Sequence, residues 1–174
     1  MAGYSGTPLP RKLGLKPGAR LGIFAAPKNF GATLGALPHG VTLTDAARGA
    51  TALDVVLCFA SSHAALERLL PRAQARLDPS GGLWVCWPKK ASGVVTDVTE
   101  AAVRQLGLDA GLVDNKVCAI DEVWSGLRMV VRVSDRPKAT PSARAAPRVR
   151  RAVSAKAKSS RKTASHSAAH SEKL

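Results

Sequence analysis

Between residues 21 and 133, short apolar runs alternate with segments whose apolar residues have helical spacing. Continuous apolar runs bounded by turn residues are typical of buried strands, and a 3.6-residue spacing is typical of helices packed on a sheet. The pattern predicts strands at 21–26, 41–44, 53–60, 83–87, 116–120 and 127–133. It predicts helices at 28–37, 62–77 and 97–110. This order favours an α/β fold with a mostly parallel sheet that ends in an antiparallel strand pair.

Local signals refine these boundaries. Pro71 predicts a kink in the second helix, because proline removes a backbone donor. Asp97 with Glu100 three residues later predicts a capping box, and Gly111 predicts the end of that helix. The stretches 78–82 (DPSGG) and 114–116 (DNK) are each rich in turn residues and are predicted turns.

Charge is distributed unevenly over the 174 residues, which contain 26 Lys and Arg against 12 Asp and Glu, a net charge of +14. Residues 136–174 hold eleven of the cations and a single acid, and all seven aromatic residues lie before residue 135. A segment so poor in apolar surface cannot offset its ordering entropy. The sequence therefore predicts a folded domain at 1–135 and a disordered basic tail at 136–174.

Several classes of protein are disfavoured. The chain has no apolar run near the roughly 18–20 residues of a membrane span, and its N-terminus lacks a signal-peptide layout. Three cysteines without a C-x-x-C pair disfavour a disulfide framework and a cysteine metal site. We expect a cytoplasmic protein without a bound metal.

Two longer segments resemble a known fold. The sequence LGLKPGARLGIFAAPKNFGATLGAL at 13–37 resembles the opening of Rossmann-like methyltransferases that use S-adenosylmethionine. The sequence LERLLPRAQARLDPSGGLWVCWPK at 66–89 resembles their later helix, turn and strand, and 116–133 fits their last two strands. The resemblance implies a small Rossmann-like, methyltransferase-like sheet.

Three further strings, MAGYSGTPL, GGLWVCWPKKASG and VDNKVCAIDEVWSGLR, are similar to a bacterial family known as domain of unknown function 3052. This resemblance covers roughly residues 1–133. It implies the same fold and supplies no assigned activity.

The chain departs from the methyltransferase pattern at its nucleotide turn. That fold places a glycine-rich turn after the first strand so that the backbone can approach the methyl donor. Here the residues are AAPKNFG at 25–31, with one glycine and with Pro27, which has no N–H. Asp45 could hold the ribose hydroxyls, but 45–53 is too short for the usual third strand and its helix. We therefore predict no cofactor, with S-adenosylmethionine only under the enzyme alternative.

Ligands of open parallel sheets bind beyond the carboxyl ends of the strands. The predicted topology gathers four loops at that rim, which could bind an anionic or nucleotide-like ligand. The candidate ligand-binding residues are Lys28, Asn29, His63, Lys89, Lys90, Ser92, Asp121, Glu122 and Trp124.

Each candidate also has a plainer interpretation. The loop of Lys89 and Lys90 could cradle a phosphate or be a solvated basic loop. Asp121 and Glu122 could be an acid–base pair, but adjacent residues of an extended segment point in opposite directions. His63 is more simply a helix-capping or exposed residue, and Trp124 a packing residue. The three cysteines fall in predicted strands, where buried, inert thiols are expected.

The tail suits a nucleic-acid partner. Its cations would release counterions from a phosphate backbone, which gives non-specific, salt-sensitive affinity for DNA or RNA. The residues expected to bind are Arg144, Arg148, Arg150, Arg151, Lys156, Lys158, Arg161 and Lys162. The tail has no aromatic residue for base stacking, and a purely solubilising role is the alternative. Its two histidines, His166 and His170, are weak evidence for metal binding.

The leading hypothesis is a non-catalytic or degenerate Rossmann-like domain whose basic tail binds nucleic acid, with the nucleoid as one destination. The enzyme alternative is a minimal S-adenosylmethionine-dependent methyltransferase that uses the rim around Lys28, Lys89, Asp121 and Trp124. A third possibility is a protein-interaction module that uses the same sheet edge.

Overall fold

A computed structural model describes residues 6–138 and contains one mixed sheet over that range. The strands are β1 Arg20–Phe24, β2 Thr42–Asp45, β3 Leu53–Phe59, β4 Leu77–Pro88, β5 Leu112–Ala119 and β6 Trp124–Val131. The helices are α1 Leu9–Lys12, α2 Phe30–Leu34, α3 His63–Ala75 and α4 Glu100–Asp109. Short 3₁₀ turns follow β4 at Lys90–Ser92 and β6 at Val133–Asp135.

The strand order is β2-β1-β3-β4-β6-β5. The pairs from β2 to β4 are parallel, while β6 runs antiparallel to both β4 and β5. This confirms the predicted α/β class with a terminal antiparallel pair. Residues 46–52 connect β2 to β3 without a strand or helix of their own, so β2 is an edge of the sheet.

The core lies on both faces of the sheet. On one face, Leu66 of α3 and Val103 of α4 pack over the inner side chains of β3, β4 and β6. On the other face, Leu13 and Phe30 pack with Trp84, whose indole Nε1 donates a hydrogen bond to the Leu13 carbonyl at 3.0 Å. Burial on both faces explains why the central strands are apolar at nearly every position.

The prediction of a turn at 78–82 was wrong, because these residues are part of strand β4. Leu53 of β3 pairs with Leu77 of β4, and the next pair is Val55 with Gly82. The chain therefore advances five residues along β4 while it advances two along β3. The Asp78 carboxylate accepts the Ser80 N–H at 2.8 Å, which is the local turn chemistry that the sequence contains. The turn residues form a bulge inside a continuous strand.

The predicted turn at 114–116 is likewise a bulge, here within β5. Asp114 pairs with Met129 and Lys116 with Arg128, so Asn115 is the extra residue. The Asn115 side-chain oxygen accepts a hydrogen bond from Arg128 at 3.3 Å. The polar residues that predict a turn in sequence bend an edge strand in the structure.

The predicted capping box of Asp97 and Glu100 was wrong in its first member. Thr99 is the N-cap of α4, because its hydroxyl accepts the Ala102 N–H at 3.1 Å. The Asp97 carboxylate instead accepts the His63 N–H at 2.7 Å, at the start of α3. The first turn of α3 has backbone N–H groups without partners in the helix. Asp97 therefore accepts a hydrogen bond from α3, although the sequence pattern predicted that it would cap α4.

Pro71 lies within α3 and Gly111 lies just after α4, as the sequence predicts. Helix α3 continues through Pro71, and Gly111 ends the α4 segment with a positive φ of 81°. Among residues 6–138, no helix has the length and apolarity needed to cross a membrane. Almost all of the predicted tail, including its eight candidate binding residues, lies outside the described residues.

Candidate functional site

A cleft of about 570 Å³ lies at the carboxyl ends of β1 and β2, beside the first turn of α2. Its wall is mostly apolar and comes from both strands, the loop after β1 and one side of α2. The lining residues are Ile23, Ala26, Pro27, Asn29, Phe30, Gly31, Leu34, Leu43, Thr44 and Asp45. Its volume falls within the range of about 300–1,000 Å³ that is usual for small-molecule sites.

Asp45 supplies the carboxylate of this cleft. It is the last residue of β2 and faces Ile23 of β1 in the parallel register. One carboxylate oxygen accepts the Ala47 N–H at 2.9 Å, and the other lies 3.7 Å from Arg48 Nε. The side chain is 60% exposed, so both oxygens keep acceptor capacity toward the cleft and solvent.

The loop between β1 and α2 holds two non-glycine residues in the left-handed region. Ala25 has a φ of 52° and Asn29 a φ of 63°. Asparagine tolerates this region, but an alanine there costs on the order of 1 kcal/mol. Strained backbone of this kind concentrates at functional sites, where the surrounding structure holds it in place.

Replacing Ala25 with glycine should therefore stabilise the protein by up to about 1 kcal/mol and raise Tm, because the relieved strain exceeds the entropy that glycine adds to the unfolded chain. Ala26→Gly is the matched control, because Ala26 is not among the residues with positive φ. The control should lower Tm slightly, since glycine adds unfolded-state entropy without relieving strain. Thermal unfolding of both variants tests this. Equal destabilisation by the two would show that Ala25 carries no strain.

Arg76 fixes the segment that follows Asp45, a role that no local sequence pattern indicates. The side chain is 9% exposed, and its guanidinium donates to the carbonyls of Ala46 at 2.9 Å and Thr51 at 3.2 Å. It also donates to the carbonyls of Arg48 and Asp45. Residues 46–52 do not pair with another strand, and a single arginine side chain instead binds the backbone carbonyls of this connection.

A second, smaller cleft of about 270 Å³ lies at the carboxyl end of β4. It contains two of the predicted rim residues, Lys89 and Lys90, together with Glu100 from α4. Asn29 is the predicted rim residue that lines the first cleft. The structure therefore divides these three candidates between two clefts.

Lys89, Ser92 and Asp121 organise the rim itself. Lys89 Nζ donates to the Asp121 carbonyl at 2.6 Å, and the Ser92 hydroxyl donates to the Lys89 carbonyl at 2.6 Å. The Asp121 carboxylate accepts the N–H groups of Val123 at 2.8 Å and Trp124 at 2.7 Å. These contacts hold the turn between β5 and β6 against the end of β4, and they use part of the hydrogen-bonding capacity of the three residues.

The remaining candidates are dispersed. His63 starts α3, with Nδ1 3.6 Å from a Glu67 carboxylate oxygen, while Lys28 and Glu122 are exposed. Trp124 lies edge-on to Phe59 at 5.1 Å between ring centroids, and Phe59 lies 4.8 Å from Phe30. This row of rings packs behind the first cleft and connects its wall to β6.

The three cysteines lie in strands, as the sequence predicts. Burial raises the pKa of the Cys58 thiol to about 12 and that of Cys86 well above its usual value. Burial also raises the pKa of half-buried Cys118, although Lys116 and Lys12 act in the opposite direction. Thiols with raised pKa values are poor nucleophiles near neutral pH.

Comparison of the fold with solved structures finds methyltransferases. A precorrin-6y C5,15-methyltransferase from Geobacter metallireducens GS-15 matches with a TM-score of 0.50 and 13% identity, over 71% of this chain and 86% of that one. The sheet has their Rossmann-like fold. At this identity the likeness concerns the fold alone.

Two other matches are a ribosomal protein L11 methylase from Lactobacillus delbrueckii subsp. bulgaricus and a magnesium protoporphyrin IX methyltransferase from Synechocystis PCC 6803 with bound S-adenosylmethionine. The first has a TM-score of 0.49 and 12% identity over 71% and 75% of the two chains. The second has a TM-score of 0.48 and 13% identity over 71% and 74%. No protein-family model and no curated protein matches the chain.

Proposed function

We propose that this protein binds S-adenosylmethionine, or its demethylated product, in the cleft between β1 and β2, as a minimal methyltransferase-like protein. The observation that carries the proposal is the position of the cleft. It lies beyond the carboxyl ends of two adjacent parallel strands, where open α/β sheets bind nucleotides. The methyltransferase fold supports this ligand class over other nucleotides.

The residues present fit the nucleoside part of such a ligand. Ile23, Phe30, Leu34 and Leu43 offer an apolar surface to an adenine ring. The Asp45 carboxylate can accept hydrogen bonds from ribose hydroxyls at the end of β2. When bound, the ligand would supply an activated methyl group, and the role of this chain's residues is to bind and orient it.

Pro27 alters how the loop can meet the rest of the ligand. A glycine-rich turn brings several backbone N–H groups close to a donor, whereas Pro27 offers none. We therefore expect affinity to come mainly from the apolar wall and Asp45, with a weaker contribution from the loop.

Thermal unfolding of the full chain with S-adenosylmethionine and with S-adenosylhomocysteine tests the proposal. Ligand at a hundred times its dissociation constant stabilises a protein by about 2.7 kcal/mol, which is a Tm shift of several degrees. ATP is the control for general nucleotide or anion binding. Equal shifts with all three ligands, or no shift at millimolar concentration, would contradict a site specific for the methyl donor.

We also propose, from the charge of the sequence, that the segment 136–174 binds nucleic acid without sequence specificity. Its support is eleven cations against one acid over 39 residues. The test compares the full chain with a full-length variant in which the eight central cations, from Arg144 to Lys162, are glutamine. The salt slope of DNA binding, d log K/d log[salt], should become less steep by up to about 7. An unchanged slope would contradict this function.

Membership of the domain of unknown function 3052 family, a bacterial origin and a cytoplasmic or nucleoid location remain predictions of the sequence.

A further inference from the structure

Two cations face each other across β5 and β6. Lys116 and Arg128 are direct partners in the antiparallel register, so their side chains leave the same face of the sheet. Like charges directly opposite one another destabilise a strand pair. Neutral contacts partly offset this cost, since Lys116 Nζ also lies 6.0 Å from the centroid of the Trp84 ring, but no carboxylate is described beside either cation among residues 6–138.

Arg128 is held on that face without a carboxylate partner. Its guanidinium lies over Gly82, where an added Cβ would come within 2.5 Å of Arg128 Nε. It donates to the Asn115 side-chain oxygen at 3.3 Å. Burial and the neighbouring Arg136 lower the pKa of Arg128, so its surroundings disfavour the charge that it carries.

Lys12 of α1 and Arg136 after β6 extend the positive charge on either side. Lys116 Nζ donates to the Lys12 carbonyl at 2.9 Å, and both lysines bring positive potential to Cys118. We call Lys12, Lys116, Arg128 and Arg136 the basic row. The ion pairs described for residues 6–138 include none with Lys116, Arg128 or Arg136.

We propose that the basic row binds the phosphate backbone of a nucleic acid. The cations follow one another across α1, two strands and the segment after β6, and none of them lines either of the two clefts described above. An extended row suits a polymer with one negative charge about every 3.4 Å of each strand. Arg136 is also two residues before the last described residue, so the basic sequence of 139–174 follows the row directly in the chain. The proposal does not depend on the cleft or on the eight tail cations from Arg144 to Lys162.

The experiment measures binding of the full chain to a fluorescently labelled DNA duplex and to a single-stranded RNA over a series of KCl concentrations. The test variant is Lys116→Gln with Arg128→Gln. The matched control is Arg68→Gln with Arg72→Gln, which removes the same charge from α3 on the opposite face of the sheet. Lys116→Gln with Arg136→Gln is a second test variant that leaves the half-buried Arg128 in place.

We expect the salt slope for duplex DNA to become less steep by about 2 in each test variant, or about 1.5 for RNA, and to change little in the control. Thermal unfolding checks that each variant is folded, because the second test variant relieves a like-charge pair but also loses the hydrogen bonds to the Lys12 and Val131 carbonyls. A DNA effect without an RNA effect, or the reverse, would identify the nucleic acid. Equal losses in test and control variants would show a general charge effect and overturn the proposal, as would no loss.

Combining the test substitutions with the tail variant separates the two nucleic-acid proposals. If only the row binds, the tail substitutions leave the slope unchanged and the row substitutions reduce it. If only the tail binds, the row substitutions have no effect in either background, which overturns the inference drawn here. Additive reductions in slope support both.

Discussion

Replacing Arg76 with methionine is expected to destabilise the protein by about 3 kcal/mol, which lowers Tm by roughly 10 °C. The guanidinium donates to four backbone carbonyls between Asp45 and Thr51. Hydrogen bonds from a charged donor are stronger than neutral ones, and several carbonyls would lose their partner together. Methionine keeps most of the side-chain volume, so the loss would report the hydrogen bonds.

Chemical denaturation of the variant gives the free energy of unfolding. Arg72→Met in the last turn of α3, just before Arg76, is the control, because Arg72 is exposed and lies 5.9 Å from the centroid of the Phe24 ring, its described contact. The control should change stability by less than about 1 kcal/mol. If both variants lose the same stability, or Arg76→Met loses none, the carbonyl contacts do not hold the 46–52 segment.

The Arg76 contacts matter for the candidate site as well as for stability. Asp45 ends β2 at an open sheet edge, and the backbone directly after it is bound by Arg76. In a fold with a further strand beyond β2, strand pairing would hold this segment. Here one side chain does so, and we expect the orientation of the Asp45 carboxylate to depend on it.

The fold was largely predictable from the sequence because the central strands are apolar on both faces. The runs around Leu57 and Val85 can be buried only in a covered sheet. Helical spacing predicted α3, and capping signals predicted α4. The bulges at 78–82 and Asn115 could not be predicted in the same way. Their residues have turn chemistry, and only pairing with the neighbouring strand decides that the chain continues.

The site was only partly predictable. Asn29 follows the end of β1, which is where the topology rule looks for ligand-binding residues. Asp45 was indicated by the resemblance to methyltransferases. The role of Arg76 depends on carbonyls 25 to 31 residues away in sequence, and no local pattern indicates such a contact. Lys89 and Asp121 also follow strand ends. They are 32 residues apart in sequence, and the hydrogen bond between them stabilises the rim.

Substituting tryptophan for Gly31 is expected to reduce affinity for S-adenosylhomocysteine by at least about a hundredfold. Gly31 lines the cleft, and a Cβ added there meets no atom within 4 Å, so an indole at this position can extend into the open space that a ligand would use. Competition of a bulky side chain with the ligand costs the apolar contacts on which the proposed affinity depends.

Ala32→Trp is the control, since Ala32 is exposed on the same helix and does not line the cleft. Isothermal titration of both variants and of Asp45→Asn gives the comparison. Asp45→Asn should cost about tenfold, because an amide replaces a charged acceptor. Normal binding by Gly31→Trp would contradict the cleft as the site while leaving ligand binding itself intact. The cleft beside Lys89 and Lys90 would then become the place to look, and Lys90→Gln would be the substitution that lowers affinity.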